Sequence, residues 1–178
     1  DVHIKDALGR TWQCGTIQLD MSLPEKFNLS YIDKNNEKRR PIMIHRVIYG
    51  SIERFFGILI EHFAGNFPLW MAPVQTVILP INDDLVPYSN DIKIKLEKAG
   101  VRTGVDRRTE SLNKKVRDAQ LNKIPLILTV GNQEKESGSL SVRTLDGNVR
   151  YGVTHEEFLT RVLSHIKKRK LDLEIFKA

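Results

Sequence analysis

Three groups of residues carry side chains that could do chemistry. The first is Ser51 and Arg54, in the run G-S-I-E-R-F-F-G-I-L-I-E. A serine at a helix N-cap with a guanidinium one turn in stands where backbone N–H groups and the helix dipole already favour an anion, an arrangement that suits phosphate. The second is Gln13, Thr16 and Gln18, in W-Q-C-G-T-I-Q-L-D. Polar residues inside a sheet are costly unless paired, which makes these three candidates for ligand contacts; hydrogen bonds to neighbouring backbone or to water would account for them as well. The third is His45, in M-I-H-R. A lone histidine in a strand serves a core more often than it holds a metal, because zinc takes about four ligands and no Cys/His cluster accompanies this one.

The elements that would position these groups follow from patterning. Ile42 to Tyr49 is rich in β-branched and aromatic residues and follows Pro41, which predicts a strand. Gly50 ends it, and Ile52, Phe55, Phe56, Leu59, Ile60 and Phe63 then recur at helical spacing behind the Ser51 cap. Val2 to Lys5 and Thr11 to Leu19 form an expected β-hairpin across a turn at Ala7 to Arg10. Strand alternation puts Trp12, Cys14, Thr16 and Gln18 on one face and Gln13, Gly15, Ile17 and Leu19 on the other, with Gly15 open to close approach by a ligand. Met21 to Arg40 is expected to be a surface excursion holding one short strand, Asn28 to Ile32, and a solvated basic run at Lys38 to Arg40.

The run around Ser51 and Arg54 resembles motif 3 of the class II aminoacyl-tRNA synthetases, whose arginine contacts ATP. M-I-H-R is similar to the threonine-specific family of those enzymes, the threonyl-tRNA synthetases, where the histidine is one of three protein zinc ligands. W-Q-C-G-T-I-Q-L-D resembles the strand lining the same active site, and the similarity continues to the C-terminus. The resemblance implies ATP-dependent attachment of threonine to tRNA(Thr) through threonyl-adenylate, with magnesium accompanying ATP. It implies Arg54 as a catalytic residue, Gln13, Thr16, Gln18, Ser51 and Arg54 in the ATP and threonine pocket, and His45 as a ligand of zinc. It further implies that motifs 1 and 2 and two more zinc ligands lie upstream of Asp1, that the whole enzyme is a homodimer, and that these 178 residues alone do not aminoacylate. The competing expectation is a non-catalytic tRNA-binding module or accessory subunit of the same descent.

Composition is that of a globular protein, with 40% hydrophobic and 7% aromatic residues. The single cysteine, Cys14, excludes an internal disulfide framework and a cysteine-only zinc site. No apolar run approaches the ~18 residues a membrane span requires, and the cytoplasm is the expected compartment. Charge is uneven: residues 1–73 carry 9 Lys+Arg against 8 Asp+Glu, and residues 74–178 carry 19 against 14. An excess of positive charge in the second part suits a polyanion such as RNA, although a solvated basic face would look the same.

The rhythm changes at F-P-L-W-M-A-P, so the domain junction is expected after Pro73, giving domains 1–73 and 74–178. Beyond it, apolar strands at Val74 to Ile81, Val101 to Asp106, Pro125 to Val130, Ser139 to Leu145 and Asn148 to Val153 alternate with helices at Leu85 to Ala99, Ser111 to Asn122 and Thr154 to Lys170. Nearly all-apolar strands between helices argue for a sheet covered on both faces. The expected fold is therefore α/β and α+β: a partial antiparallel catalytic sheet with the motif 3 helix, then a βαβαββα mixed sheet, which looks like the anticodon-binding domain of class IIa synthetases. Ligands of open α/β sheets gather beyond the carboxyl ends of strands. That rule selects Arg107 to Glu110 and Gly131 to Glu136, and the resemblance implies Thr109, Arg117, Lys123, Glu134 and Arg143 as tRNA anticodon contacts. Lys123 and Thr109 depart from the arginine and asparagine of the best-known members, and a lysine lacks the planar fork that reads a base edge. The tail, Lys167 to Ala178, is expected to pack on the first domain or to fray.

Overall fold

The computed structural model describes residues 1–176, and Lys177 and Ala178 lie outside the described residues. The chain forms two compact units, Asp1–Ala64 and Gly65–Ala178. The units divide after Ala64, ahead of the junction expected after Pro73. The reason is that the segment between is tied into the second unit: Leu69 and Ala72 are buried, Gln75 Nε2 donates to Leu69 O (2.8 Å), and Arg102 donates to the carbonyls of Trp70 and Ala72.

The first unit opens with β1 (Val2–Lys5) and β2 (Thr11–Asp20), followed by α1 (Ser22–Lys26). Next come β3 (Tyr31–Ile32), β4 (Lys38–Arg39), β5 (Met43–Val47) and α2 (Ile52–Phe63). Strands β1, β2 and β5 make one antiparallel sheet in that order, and β3 and β4 make a separate two-stranded ribbon. The expected single strand at Asn28 to Ile32 is thus corrected twice. Its first residues are a turn in which Asn28 adopts φ 48°, and α1 precedes it because the Asp20 carboxylate accepts from the Ser22 and Leu23 N–H groups, both at 2.9 Å. Helix α2 begins as patterned, with the Ser51 hydroxyl accepting from Arg54 N–H.

The second unit runs β6 (Thr76–Pro80), a 3-10 turn (Asp83–Leu85), α3 (Val86–Lys98), β7 (Thr103–Val105), α4 (Leu112–Leu121) and β8 (Leu126–Val130). It continues with α5 (Asn132–Ser137), β9 (Ser139–Thr144), β10 (Val149–Thr154) and α6 (His155–Lys167). The sheet order is β10-β9-β8-β6-β7, with β6 parallel to β7 and β8, and β9 antiparallel to β8 and β10. This is the expected mixed sheet with one added element, the short α5, closed by Gly138 in the left-handed region.

The main core packs Ile78, Leu126, Leu128, Leu140 and Val142 of the sheet against Ile92 and Leu96 of α3 and Phe158 and Val162 of α6. A smaller cluster on Val77, Leu79 and Ile127 takes Ala119, Leu112 and Val116 of α4. Of the tail, the described residues up to Phe176 pack within the second unit. Ile175 and Phe176 are buried in the main core, Phe176 stacks on Phe158 with ring centroids 5.9 Å apart, and Arg161 donates to Ile175 O.

Helix α6 starts at Thr154, whose hydroxyl accepts from Glu157 N–H at 3.1 Å. Thr154→Ala leaves that donor without its cap and is expected to cost the second unit about 1 kcal/mol, read as a lowered urea midpoint at unchanged m-value.

Candidate functional site

On the first unit, strand pairing decides which polar groups meet. Val2 pairs with Gly15 and His3 with Gln13, so Cys14 is one residue too many for the ladder. Paired residues share a face and neighbours alternate, so Gln13 and Gly15 lie on opposite faces, and Gln13 joins Thr16 and Gln18. Strict alternation had separated Gln13 from the other two; the bulge is what unites them. Gln18 pairs with His45 across β2 and β5, which brings the imidazole to the same face. His45, Gln13 and Gln18 are exposed, and the Thr16 hydroxyl is buried with no hydrogen-bond partner among the described residues. The opposite face carries Ile17, Leu19 and Ile44, each about two-thirds exposed. A Cβ at Gly15 would sit 3.1 Å from Val2 Cβ and 3.3 Å from Ile48 O, so its smallness serves strand packing.

Arg54 is exposed, and its guanidinium carbon lies 5.6 Å from the centre of the Trp12 ring, with Arg10 5.7 Å from the same ring. The indole N–H of Trp12 donates to Asp6 Oδ2 at 2.8 Å, and Arg10 Nε donates to the same carboxylate. Asp6, Arg10 and Trp12 therefore support Arg54, a role that only the spatial return of the hairpin reveals. Burial alone would push the Asp6 carboxyl up, but the hydrogen bonds from Trp12 and Arg10 outweigh it and hold the carboxyl at about 2. A carboxyl depressed on folding stabilises fully above its unfolded value of about 3.9, and that contribution disappears as pH falls towards 2. Asp6→Asn should flatten the acid limb of the first unit's stability between about pH 4 and pH 2, as read by melting at stepped pH. A limb as steep as in the parent chain would contradict the assignment.

Among the described residues no group of three or more His, Cys, Asp or Glu side chains could hold a metal ion. No helix is long and apolar enough to cross a membrane.

On the second unit, α4 packs Leu112, Val116 and Ala119 on the face of β6 and β8 that carries Val77, Leu79 and Ile127. A cavity of about 340 Å³ lies beside it, lined by Arg117 from α4, Thr129 from β8, Glu134 from α5, Ser141 and Arg143 from β9 and Tyr151 from β10, among others. Three of the five expected RNA contacts, Arg117, Glu134 and Arg143, meet here. The Glu134 carboxylate is held by Ser141 Oγ–H (2.7 Å) and Gly131 N–H (2.9 Å), so it enters the cavity pre-oriented. Gly131 must be small, because a Cβ would fall 2.9 Å from Glu134 Oε2 and 2.8 Å from Ile81 Cδ1.

Thr109 and Lys123 are not part of that lining. Thr109 donates to Asp83 at 3.3 Å, and Lys123, at φ 58° beyond the end of α4, borders a separate cleft with Asn66, Gln120 and Asp146. The loop after β7 is spent on the protein itself. Arg108 pairs with Asp106 and Asp118, Arg107 donates to Asn90, and Glu110 pairs with Lys114. The hydrogen bond from Arg108 pulls the Asp106 carboxyl below its ordinary range. Lys115 is 2% exposed and donates to Pro80 O at 3.1 Å, fixing α4 against the end of β6.

Comparison with known proteins adds independent findings. Residues 75–165 match the family described as anticodon binding domain, and residues 1–63 match the tRNA synthetase class II core domain (G, H, P, S and T). The chain is 70% identical over 169 residues to a threonine--tRNA ligase of Desulfosudis oleivorans, covering 95% of this chain and 26% of that protein. It is 67% identical over 175 residues to one of Desulforapulum autotrophicum, covering 98% of this chain and 28% of that protein. The chain thus spans about a quarter of the length of the curated relatives it matches. Among solved structures, the RNA binding domain of threonyl-tRNA synthetase from Cryptosporidium parvum Iowa II matches with a TM-score of 0.77 at 34% identity, covering 91% of this chain and 41% of that one.

Proposed function

The chain belongs to the family of anticodon-binding domains, here joined to the end of a class II synthetase core, and from that premise we propose that it is the tRNA-reading portion of an ATP-dependent threonine–tRNA ligase. The observation that carries this reading is the cavity in which Arg117, Glu134 and Arg143 meet beside α4 of the second unit. Two guanidiniums and an oriented carboxylate match what an unpaired base and its phosphates present: acceptors and anionic oxygens for the arginines, an exocyclic amino group for the glutamate. Thr109 and Lys123, outside this cavity, would touch flanking backbone of the same RNA.

The first unit would contribute to forming threonyl-adenylate and pyrophosphate from threonine and ATP, and to the later transfer of threonine to tRNA(Thr). Gln13, Thr16 and Gln18 share one sheet face, and the unpartnered Thr16 hydroxyl is a buried polar group that a bound ligand would satisfy. Arg54, steadied against Trp12, would hold negative charge on the nucleotide with Ser51 at the helix start, ATP bringing its magnesium. His45 fits as one zinc donor, with its other donors outside this chain; zinc so held would bind the amino and hydroxyl groups of threonine and thereby exclude valine, which lacks the hydroxyl. A homodimeric parent enzyme working in the cytoplasm completes the reading.

The test is a titration of the 178-residue chain with tRNA(Thr) transcripts, native or with substituted anticodons, across a salt series. Cognate binding should weaken steeply with salt and fall when the anticodon is changed. Equal affinity for all transcripts would remove the anticodon reading. A tRNA-binding module without a ligase parent is separated by joining this chain to a full-length relative's upstream part: threonylation by the chimera supports the ligase, and adenylate formation without a contribution from Arg54 or His45 counts against it.

A further inference from the structure

The established features of the cavity are charged, but its outer wall is aromatic. Tyr151 lines it from β10 and is 75% exposed, with Val149 beside it. No feature of the sequence marked this residue, and its position comes from an irregularity in the sheet. Arg150 pairs with Val142 and Val153 with Leu140, so Tyr151 and Gly152 together face the single residue Ser141. Gly152 takes up the extra length with φ 68°. Arg143 pairs with Val149, and alternation from Val149 puts Tyr151 on the same face as Arg143 and Ser141. A large ring standing three-quarters exposed on a strand contributes little to folding, since most of its apolar area stays in water. Bulges re-aim side chains beside binding sites, and here one delivers a ring to the rim of a cavity walled by two arginines.

We infer that Tyr151 is a stacking platform for one unpaired RNA base, which enters the cavity between its ring and the Arg117 and Arg143 guanidiniums. This rests on the RNA-binding reading above and deepens it, by dividing labour within the cavity. The guanidiniums and Glu134 address polar edges and phosphate, while the ring offers a face that every base can use. A volume of about 340 Å³ has room for a single unpaired base.

The experiment measures tRNA(Thr) affinity of the full 178-residue chain carrying Tyr151→Ala, Tyr151→Phe or Arg143→Ala, at several salt concentrations, with thermal melts as a folding control. Tyr151→Ala should bind about tenfold more weakly, as loss of one stacked base predicts. The ring carries no charge, so that loss should be the same at every salt concentration, whereas the loss for Arg143→Ala should shrink as salt rises. Tyr151→Phe keeps the ring and should bind like the parent chain. Three outcomes would overturn the inference. Tyr151→Ala within twofold of the parent while Arg143→Ala binds poorly leaves the RNA reading intact and removes the platform. Tyr151→Phe as weak as Tyr151→Ala assigns the effect to the hydroxyl. Full binding by all three variants puts the RNA contact outside this cavity and removes the cavity site and the platform together.

Discussion

Phe158→Ala should destabilise the second unit by about 3–5 kcal/mol, a large share of the roughly 5–15 kcal/mol that holds a domain of ordinary stability. Phe158 is fully buried at the centre of the main core, where α6 meets the sheet, and its ring stacks on Phe176 at an interplanar angle of 11°. Truncation removes the buried ring and leaves a cavity whose walls are held on opposite sides by the β8–β9 ladder and by α6. Collapse is therefore limited, and the cost belongs at the upper end for such changes. The measurement is hydrogen exchange over β8 and β9, whose slowest amides report global opening of this unit. Phe158→Leu, which keeps more of the volume, should recover much of the loss. Equal protection in parent and Phe158→Ala chains would mean that the tail from Leu173 to Phe176 does not close the core as described.

That tail shows where local patterning stops being informative. Helices α2 and α6 were legible because each has a hydroxyl cap and apolar residues at helical spacing, both properties of adjacent residues. Strands β6 and β8 were legible because they are largely apolar on both faces. The bulge at Cys14 was not, since it depends on how Val2 and His3 happen to pair with a strand that begins beyond a turn. Reading β2 as strictly alternating puts Gln13 on the face opposite Thr16 and Gln18, whereas the pairing puts the three on one face. Helix α1 was hidden by Pro24 and a polar neighbourhood, and α5 by a run of polar residues with no apolar periodicity. The tail's packing within the second unit is held in the contacts of Ile175 and Phe176 with Phe158, far apart in sequence from the sheet they cover.

The same limit governs the basic residues, and it supplies the second large expected effect. Arg108 and Arg117 are indistinguishable by type and stand on neighbouring segments. In the structure Arg108 is consumed by Asp106 and Asp118, while Arg117 opens into the cavity shared with Arg143 and Glu134. Arg117→Ala should therefore weaken tRNA(Thr) binding by about 1–3 kcal/mol and reduce discrimination between anticodon variants, if its fork reads a base edge. A loss that is uniform across variants, with the salt slope reduced by about one, would assign it to a phosphate instead. Arg117 and Arg143 border one site, so the double variant should lose less or more than the two single losses added together, and the coupling measures their shared contact with RNA. Arg108→Ala is the internal comparison, because it removes the same charge from the same unit. It should change affinity little, while releasing Asp106 and Asp118 and lowering stability by no more than about 1 kcal/mol, as is usual for exposed pairs. Equal losses of affinity for Arg108→Ala and Arg117→Ala would mean that RNA responds to the unit's overall positive field, and that the cavity beside α4 has no special part in recognition.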